Sequence, residues 1–230
     1  MRWMLLFAGD PHGNFKPMIK AALKLKPDAV ITLGDHDLER PLSQELKPLL
    51  AAGIRVLWIP GNHDGDRDHW YGNLFGGIPG LWNLHGHVIE VGGLRIAGLG
   101  GVFRQQVWFP PDKPRLRTRM EMLHFGSNYG DHLKWKAPGE VMPGLPRRYR
   151  VTIFPEDFDR LASECADILV SHEAPSCHKH GFSEIDALAD IMGVKMIIHG
   201  HHHEDYEAVL DSGVRVLGVG LGMVKAIDSL

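Results

Sequence analysis

Five short apolar runs, separated by stretches with helical periodicity, constrain the fold of this 230-residue chain more than any other feature. The runs have the length and composition of buried strands. They are WMLLFAG (3–9), AVITLG (29–34), IRVLWIPG (54–61), DILVS (167–171) and KMIIHG (195–200). Apolar spacings near 3 and 4, typical of helices, occur over residues 15–26, 41–53, 154–164 and 183–193. Strands that alternate with helices predict an α/β fold.

Two further segments show strand patterns with no helix between the strands. Residues 80–103 contain two or three short strands joined by the turn sequences HGH and VGG, and residues 205–221 contain two strands around the turn DSG. Strands joined by tight turns pair in antiparallel fashion. We therefore predict a mixed architecture with two sheets rather than one parallel sheet.

Composition and charge restrict the class of protein. Hydrophobic residues make up 44% of the chain, enough for a sizeable core, and a net charge of −3 gives no overall electrostatic reason to bind nucleic acid or a membrane. Cys165 and Cys177 are too few for a disulfide framework. The first apolar run is short for a signal sequence, and no run approaches the roughly 20 apolar residues that cross a bilayer. We expect a soluble, cytoplasmic protein with no membrane partner.

Residues 104–150 differ from the rest of the chain in charge and composition. They contain ten lysines and arginines against four acidic residues, so this segment carries +6 and the remainder −9. Six prolines and six aromatic residues make it unlike a core element and typical of an elaborated loop or lid. We interpret it as an insertion within a single domain that spans residues 1–230.

The basic residues of this insertion have two interpretations. They could form a positive rim that attracts a polyphosphate or nucleic acid, with an aromatic side chain stacked on a base. They could equally form a solvated loop that pairs with the acidic remainder, or an oligomer contact. The arginines are Arg115, Arg117, Arg119, Arg147, Arg148 and Arg150, and the aromatic candidates are Trp108, Phe125, Tyr129 and Trp135.

Each of the five apolar runs is followed by side chains of the types that bind metals. These residues are Asp10 and His12, then Asp35, then Asn62 and His63, then His172, and finally His201 and His203. The carboxyl ends of strands in α/β sheets converge on one crevice, so residues that are distant in sequence would meet there. A single histidine or aspartate after a strand is commonly a turn former, but turn formation does not require such a residue at all five ends.

Two carboxylates, one amide oxygen and four imidazoles supply seven ligands at these strand ends. Seven ligands are too many for one tetrahedral zinc site and suit two metals that share a carboxylate. Oxygen and nitrogen donors without thiolate fit manganese, our first expectation, or iron, zinc, cobalt or nickel, and fit calcium poorly. Two metals about 4 Å apart bind a phosphate through two oxygens and deprotonate the water between them, and this metal-bridging hydroxide attacks in line. The expected reaction is hydrolysis of a phosphate ester.

The sequences GDPHGN, GDHD, GNHD, SHEAP and GHHH also resemble known motifs. In order and spacing they are similar to the D-x-H, G-D, G-N-H-[DE], H and G-H-x-H motifs of the calcineurin-like metallophosphoesterases. The motifs run from residue 9 to residue 203, nearly the whole chain outside the insertion. The resemblance implies a four-layer α/β/β/α sandwich of two mixed β-sheets flanked by helices, with a dinuclear metal centre at the strand ends.

The resemblance implies a role for each of these side chains. One metal would bind Asp10, His12, Asp35 and His203, and the second would share Asp35 and bind Asn62, His172 and His201. His63 would face the substrate phosphate and protonate the leaving oxygen or stabilise charge there, with Asp64 orienting it.

Three neighbouring residues have no ligand role in this scheme. His202 should point away from the metals, and His199 should be structural or support a ligand. The family often has a carboxylate three positions after the shared aspartate, where this chain has Leu38. The resemblance therefore leaves the role of Asp37 in doubt.

Two functions of different classes fit this chain. The first is a dinuclear-metal-dependent phosphoesterase that hydrolyses a phosphomonoester or phosphodiester in a phosphorylated small molecule, nucleotide or nucleic acid. The alternative is a non-catalytic scaffold of the same fold that serves in protein interactions. Scaffolds of this kind usually lose ligands or the histidine of the third motif, whereas this chain retains all of them. The complete set favours catalysis.

Overall fold

The computed structural model describes residues 3–76, 80–125 and 144–230. Within these ranges eleven strands form a five-stranded and a six-stranded sheet, both mixed. The strands are β1 (Leu5–Ala8), β2 (Ala29–Thr32), β3 (Arg55–Trp58), β4 (Leu81–Asn83), β5 (Val88–Val91), β6 (Leu94–Leu99), β7 (Ile168–Ser171), β8 (Met196–His199), β9 (Tyr206–Val209), β10 (Arg215–Gly218) and β11 (Val224–Ile227).

Helices cover the outer faces of the two sheets. They are α1 (Lys16–Leu25), α2 (Leu42–Glu45), α3 (Lys47–Ala51), α4 (Asp68–Phe75), α5 (Arg119–Phe125), α6 (Arg147–Arg150), α7 (Pro155–Ala162) and α8 (Ser183–Met192), and a short 3-10 turn covers His63–Gly65. Among the described residues no helix is both long enough and apolar enough to cross a membrane.

Strand order places the parallel strands at the centre of each sheet. The first sheet has the order β11-β1-β2-β3-β4, in which β1 to β4 are parallel and β11 is antiparallel to β1. The second has the order β5-β6-β7-β8-β10-β9, in which only the edge strands β5 and β9 are antiparallel to their neighbours. The carboxyl ends of the central strands consequently lie together at one edge of each sheet.

Alternation along the strands separates the core into three apolar layers. In β1, Leu5 and Phe7 face the second sheet, whereas Leu6 faces α1 and the side chain of Met18. The opposite face of the second sheet packs on α7 and α8. Leu161 of α7 belongs to this apolar layer. Each central strand is therefore buried on both faces, which explains its continuous apolar sequence.

The predicted α/β fold with two mixed sheets is confirmed, and the five apolar runs form β1, β2, β3, β7 and β8. Three details differ. The predicted helix over 41–53 is divided into α2 and α3, because Pro48 has no N–H with which to continue the first helix. Residues 80–103 contribute to both sheets, since β4 pairs in parallel with β3. The strand β11 was not predicted.

The two described flanks of the predicted insertion contribute to the outer core. Val107, Trp108, Met122, Leu145 and Tyr149 are buried in the layer between the second sheet and the helices. The expectation of a segment unlike a core element is therefore wrong for these flanks. Residues 126–143, the middle of the predicted insertion, lie outside the described residues.

A buried ion pair attaches the first flank to α7. The Arg119 guanidinium donates to both carboxylate oxygens of Asp157 at 2.7 and 2.8 Å, and Asp157 is 2% exposed. His85 Nε2 lies 3.4 Å from the same carboxylate, and its Nδ1 accepts from the backbone N–H of Gly100 at 3.0 Å. Burial alone would raise the pKa of Asp157, but His85 and Arg119 outweigh it and hold this pKa well below its usual range.

Replacing Asp157 with asparagine should lower the free energy of unfolding by about 3 kcal/mol at pH 7, because the Arg119 guanidinium loses its buried counter-charge and keeps only its bond to the partly exposed Glu156 at 2.9 Å. Arg117→Ala is the control, since both members of the Arg117–Asp159 pair are 60% exposed. We expect it to cost less than about 1 kcal/mol. Urea denaturation measures both values, and equal costs would contradict the assigned difference.

The contribution of Asp157 should also depend on pH in a defined direction. A carboxyl with a depressed folded-state pKa stabilises the fold above its unfolded pKa of about 3.9 and loses that contribution as pH falls further. The difference in unfolding free energy between wild type and Asp157→Asn should therefore be constant from about pH 5 to 7 and shrink below about pH 4.

Candidate metal centre

The loops that follow five parallel strands bring all seven predicted ligands together. Contacts between the sheets join these loops: the backbone N–H of His201 donates to the Asp10 carboxylate at 2.7 Å, and His172 Nδ1 donates to the Leu33 carbonyl at 2.7 Å. The seven side chains, Asp10, His12, Asp35, Asn62, His172, His201 and His203, form one continuous cluster. Their binding of metal remains a prediction.

Two groups of potential ligand atoms within this cluster share one carboxylate. His12, Asp35 and His203 form the first, and Asp35, His172 and His201 form the second, with the ligand atoms of each group within 4.8 Å of one another. This division matches the assignment that the family resemblance implies for two metals, with Asp35 as the shared residue. An arrangement of this kind suits a bridging carboxylate.

The first group directs imidazole nitrogens at each other. His12 Nε2 and His203 Nε2 are 3.3 Å apart, and His12 Nε2 lies 4.0 Å from Asp35 Oδ2. Asp10 Oδ2 approaches His203 Nε2 to 3.8 Å. Because His12 Nδ1 is bonded to Asp37, the lone pair of neutral His12 is on Nε2 and points into the group.

The second group also brings hydrogen-bond acceptors close to one another. His172 Nδ1 donates to a carbonyl, so the lone pair of the neutral ring is on Nε2. That atom faces Asn62 Oδ1 at 3.1 Å and Asp35 Oδ2 at 3.5 Å, both of them acceptors. Three acceptors that face one another require a proton or a cation between them.

Burial is graded across the cluster. Asp10, Asp35 and His172 are at most 1% exposed and form the floor, whereas the side chains of His203 and His63 are 41% and 45% exposed. The cluster therefore opens to solvent on the side of His63 and His203. A substrate would enter from that side.

The electrostatics of the floor favour positive charge. Burial raises the pKa of Asp10 to about 6, with His172 opposing and Asp35 adding to the rise. Burial lowers the pKa of His172, but the Asp35 carboxylate outweighs it and raises this pKa to about 10. Burial and the neighbouring His172 lower the pKa of His201 to about 3. Neutral His201 is the form that binds a metal.

The residues fit a pair of divalent cations. Asp10 Oδ1 is buried without a hydrogen-bond partner, and the imidazole lone pairs described above converge on the same carboxylates. Buried polar atoms are normally bonded, so an unpartnered carboxylate oxygen in this position indicates a site for a cation. Carboxylate, amide and imidazole donors without thiolate suit manganese, iron or zinc.

The backbone of these loops adopts an uncommon conformation. Within the described ranges, seven non-glycine residues have positive φ, and six of them lie in the ligand loops. Those six are Asp10, His12, Asp35, Asp37, His201 and His203, with φ between 32° and 69°. This region costs an L-residue roughly 1 kcal/mol or more and concentrates at functional sites.

Two glycines allow the close approach of the loops. A Cβ on Gly61 would lie 2.5 Å from the Asp35 backbone nitrogen and 2.6 Å from His172 Cε1, and one on Gly34 would lie 2.5 Å from His172 Nδ1. These positions leave no room for a side chain, because the obstructing atoms belong to the cluster itself.

Several carboxylates orient the histidines of the cluster. Asp37 Oδ2 accepts from His12 Nδ1 at 2.8 Å, so Asp37 has a positioning role that the resemblance left in doubt. Glu173 Oε2 lies 3.8 Å from His201 Nε2, and its Oε1 accepts from the backbone of Phe103 at 3.0 Å. A carboxylate bonded to the second nitrogen of a ligand histidine fixes its orientation, as Asp37 does for His12, whereas Glu173 lies beyond hydrogen-bond distance of His201.

The predicted pairing of Asp64 with His63 is wrong. His63 Nδ1 is bonded to Asp66 Oδ2 at 2.7 Å. Asp64 is fully buried and instead accepts from the backbone N–H groups of Asp35 and Gly61 at 3.1 and 2.8 Å. It also bonds the ring of His36. Asp64 therefore positions the loops that carry the ligands, and Asp66 orients His63.

The remaining histidines of the cluster region have structural contacts. The ring of His202 stacks on His178 with centroids 4.0 Å apart, and His199 Nε2 bonds the hydroxyl of Tyr206 at 2.7 Å. Burial lowers the pKa of His199 to about 3, so it remains neutral. His202 thus directs its ring at His178 rather than between the carboxylates of Asp10 and Asp35.

A model of the calcineurin-like phosphoesterase family matches residues 4–205. A protein of Haemophilus influenzae, named only as uncharacterized, is 38% identical over 217 residues, which cover 94% of this chain and 91% of the relative. The family match extends over every predicted ligand, from Asp10 to His203.

Solved structures with low identity share the fold. A dimetal phosphatase from Danio rerio has a TM-score of 0.55 at 13% identity and covers 96% of this chain and 88% of its own. Phosphopantetheinyl hydrolase from Mycobacterium tuberculosis has a TM-score of 0.53 at 18% identity and covers 96% of this chain and 90% of its own. These similarities support the four-layer sandwich.

Replacing Gly61 with alanine should weaken Mn²⁺ binding at least about 10-fold, because the new Cβ displaces Asp35 and His172. Gly213→Ala is the control, since nothing lies within 4 Å of the added carbon and its φ of +87° strains the backbone at a site away from the cluster. It should lower stability without changing Mn²⁺ affinity. Isothermal titration calorimetry gives both affinities, and a folded Gly61→Ala protein with wild-type affinity would refute the assignment of the cluster as a metal site.

Proposed function

Since the chain belongs to the calcineurin-like phosphoesterase family, we propose that it is an enzyme that uses two divalent cations, manganese by first expectation, to hydrolyse a phosphomonoester or phosphodiester. The observation that carries the proposal is the pair of ligand groups that share Asp35. A phosphorylated small molecule or nucleotide is the expected substrate. The location that we propose is the cytoplasm.

The proposed ligands divide between the two cations. Asp10, His12, Asp35 and His203 would hold one, and Asp35, Asn62, His172 and His201 would hold the other. When bound, such a pair supplies Lewis-acid polarisation of the phosphate and activation of the attacking water. The buried carboxylates bind the cations, and the half-exposed imidazoles leave the outer side accessible to the phosphate.

The contacts of His63 support a role at the leaving group. Asp66 binds the Nδ1 of His63. When the ring is protonated, the proton on Nε2 is therefore the one that can be donated to a substrate. The ring packs edge-on against His12 with centroids 5.3 Å apart, which puts it beside the first ligand group. Burial lowers the pKa of His63, but Asp35 and Asp66 outweigh it and raise this pKa, which favours the protonated form. We assign His63 the transfer of a proton to the leaving oxygen.

A non-catalytic scaffold of the same fold is the alternative. Scaffolding requires neither converging lone pairs nor an imidazole held by a carboxylate at the open side. Both features are present among the described residues, and they support catalysis over scaffolding.

Asp35→Asn should reduce Mn²⁺-dependent hydrolysis of mono- or bis-(4-nitrophenyl) phosphate at least about 100-fold, because it removes the charge that both ligand groups share. Asp211→Asn, in the exposed turn between β9 and β10, is the control and should retain full activity. Wild-type protein that shows no Mn²⁺-dependent activity on either compound, or a variant as active as wild type, would support the scaffold.

His63→Gln should impair substrates according to their leaving groups. An alkyl phosphate has a poor leaving group, so the kcat for its hydrolysis should fall about 100-fold. The leaving group of 4-nitrophenyl phosphate needs no proton, so the kcat for its hydrolysis should fall about 10-fold or less. Asp66→Asn should show a weaker form of the same selectivity, and Asp68→Asn, an exposed neighbour, should show none. Equal losses on both substrates would exclude His63 as the proton donor.

A further inference from the structure

Two arginines near the candidate metal centre form no ion pair among the described residues, although the charges of Asp66 and Glu173 act on Arg104 from farther away. Among the described residues, neither Arg104 nor Arg148 forms an ion pair with a carboxylate, although both are close enough to interact with each other. Arg104 Nε is buried without a hydrogen-bond partner. Arg148 donates to the Tyr149 hydroxyl at 2.7 Å and stacks on that ring at 4.7 Å. Two guanidinium groups that repel each other and form no ion pair with a carboxylate can both bind an anion that lies between them.

Other arginines of the same segment are already committed to protein groups. Arg117 pairs with Asp159 at 2.7 Å, Arg119 pairs with Asp157 at 2.7 Å, and Arg147 lies 3.5 Å from Asp68. For these three, the interpretation of a basic segment that pairs with acidic residues is confirmed. Arg104 and Arg148 are different because their charge remains available to a ligand.

Contacts of the neighbouring residues locate the two arginines on the His63 side of the centre. Arg147, next to Arg148 in α6, donates to the carbonyl of Asp66 at 2.8 Å, and Asp66 holds His63. On the other side, the backbone N–H of Phe103, next to Arg104, donates to Glu173, which faces His201. The backbone N–H of Val102 donates to the Val151 carbonyl at 3.1 Å, which brings the segment that carries Arg104 beside the end of α6, the helix that carries Arg148.

Aromatic stacking by Trp108 does not contribute to this surface. Trp108 is 9% exposed, and its ring packs against Phe103 and Phe158 with centroids 5.1 and 5.6 Å apart. Phe125, Tyr129 and Trp135 lie outside the residues whose side chains are described. The charge of the two arginines, rather than a stacked base, is therefore the recognition element of this surface.

We propose that Arg104 and Arg148 form a second anion subsite, which binds a phosphate carried by the leaving group of the substrate. This inference rests on the proposed function, because it takes the scissile phosphate to lie at the metal centre with His63 beside the leaving oxygen. A group beyond that oxygen would lie toward the two arginines. The substrate class is thus an organic diphosphate, or a larger polyphosphate, in which one phosphate is attacked and the next is held by the guanidinium pair.

The test compares two substrates that differ in the charge of their leaving groups. Adenosine diphosphate releases a phosphorylated leaving group, whereas 4-nitrophenyl phosphate releases a phenol. With Mn²⁺ present, Arg104→Gln and Arg148→Ala should each lower kcat/KM for adenosine diphosphate about 10-fold, and the double variant about 100-fold. Hydrolysis of 4-nitrophenyl phosphate should change less than about 2-fold. Arg117→Ala, whose charge is paired with Asp159, should affect neither substrate.

This experiment distinguishes a failure of the anion subsite from a failure of the phosphoesterase proposal. Wild type that hydrolyses 4-nitrophenyl phosphate but not adenosine diphosphate, or variants that affect both substrates equally, would overturn the subsite and leave the phosphoesterase proposal intact. Wild type that hydrolyses neither of these substrates nor bis-(4-nitrophenyl) phosphate would overturn the phosphoesterase proposal. The subsite is then decided by calorimetric binding of inorganic pyrophosphate, where equal affinities of wild type and double variant would refute it. Arg148→Ala keeps the test valid if Arg104→Gln does not fold, since Arg148 is exposed.

Discussion

The burial of two carboxylates, Asp10 and Asp35, sets the requirement that the rest of the candidate site meets. Both are at most 1% exposed, and removing a charge from water costs several kcal/mol unless an opposite charge replaces the solvent. His172 offers a single proton, and the Asp35 carboxylate beside it raises the pKa of this imidazole. The surrounding side chains add lone pairs and no further charge. A pair of divalent cations would satisfy both carboxylates and these lone pairs together.

Parallel strands explain how the carboxylates come together, and local interactions hold the loops that carry them. Six ligand-loop residues occupy the left-handed region of the backbone, at a cost that must be offset by contacts elsewhere. Asp64 supplies some of them, since its carboxylate binds the backbone N–H groups of Asp35 and Gly61 and so joins the loops after β2 and β3. Asp10 does the same between the sheets through His201. The three apolar layers supply the remaining stability.

Sequence patterns predicted the strands and the cluster because both signals are local. An apolar run followed directly by a ligand type needs no knowledge of distant neighbours. The partner of His63 was predicted wrongly because adjacency in sequence differs from adjacency in space. Residues three apart in a 3-10 turn lie on one face, so Asp66 meets the His63 ring and Asp64 points to the interior. β11 was missed because its sequence, VKAI, is short and becomes a strand only by pairing with β1. The unpaired charge of Arg104 is likewise a tertiary property, invisible in a segment rich in basic residues.

The order of ligands along the chain has a consequence for biosynthesis. β1, which precedes Asp10, pairs with β11 at residues 224–227, and the Asp10 carboxylate is bonded to the backbone of a residue 191 positions later. A nascent chain that has emerged through β6 displays Asp10, His12, Asp35 and Asn62 but none of the three imidazoles that close the two ligand groups. Such a fragment cannot enclose a cation pair. Hydrolytic competence would therefore appear only late in translation, after the second sheet has docked on the first.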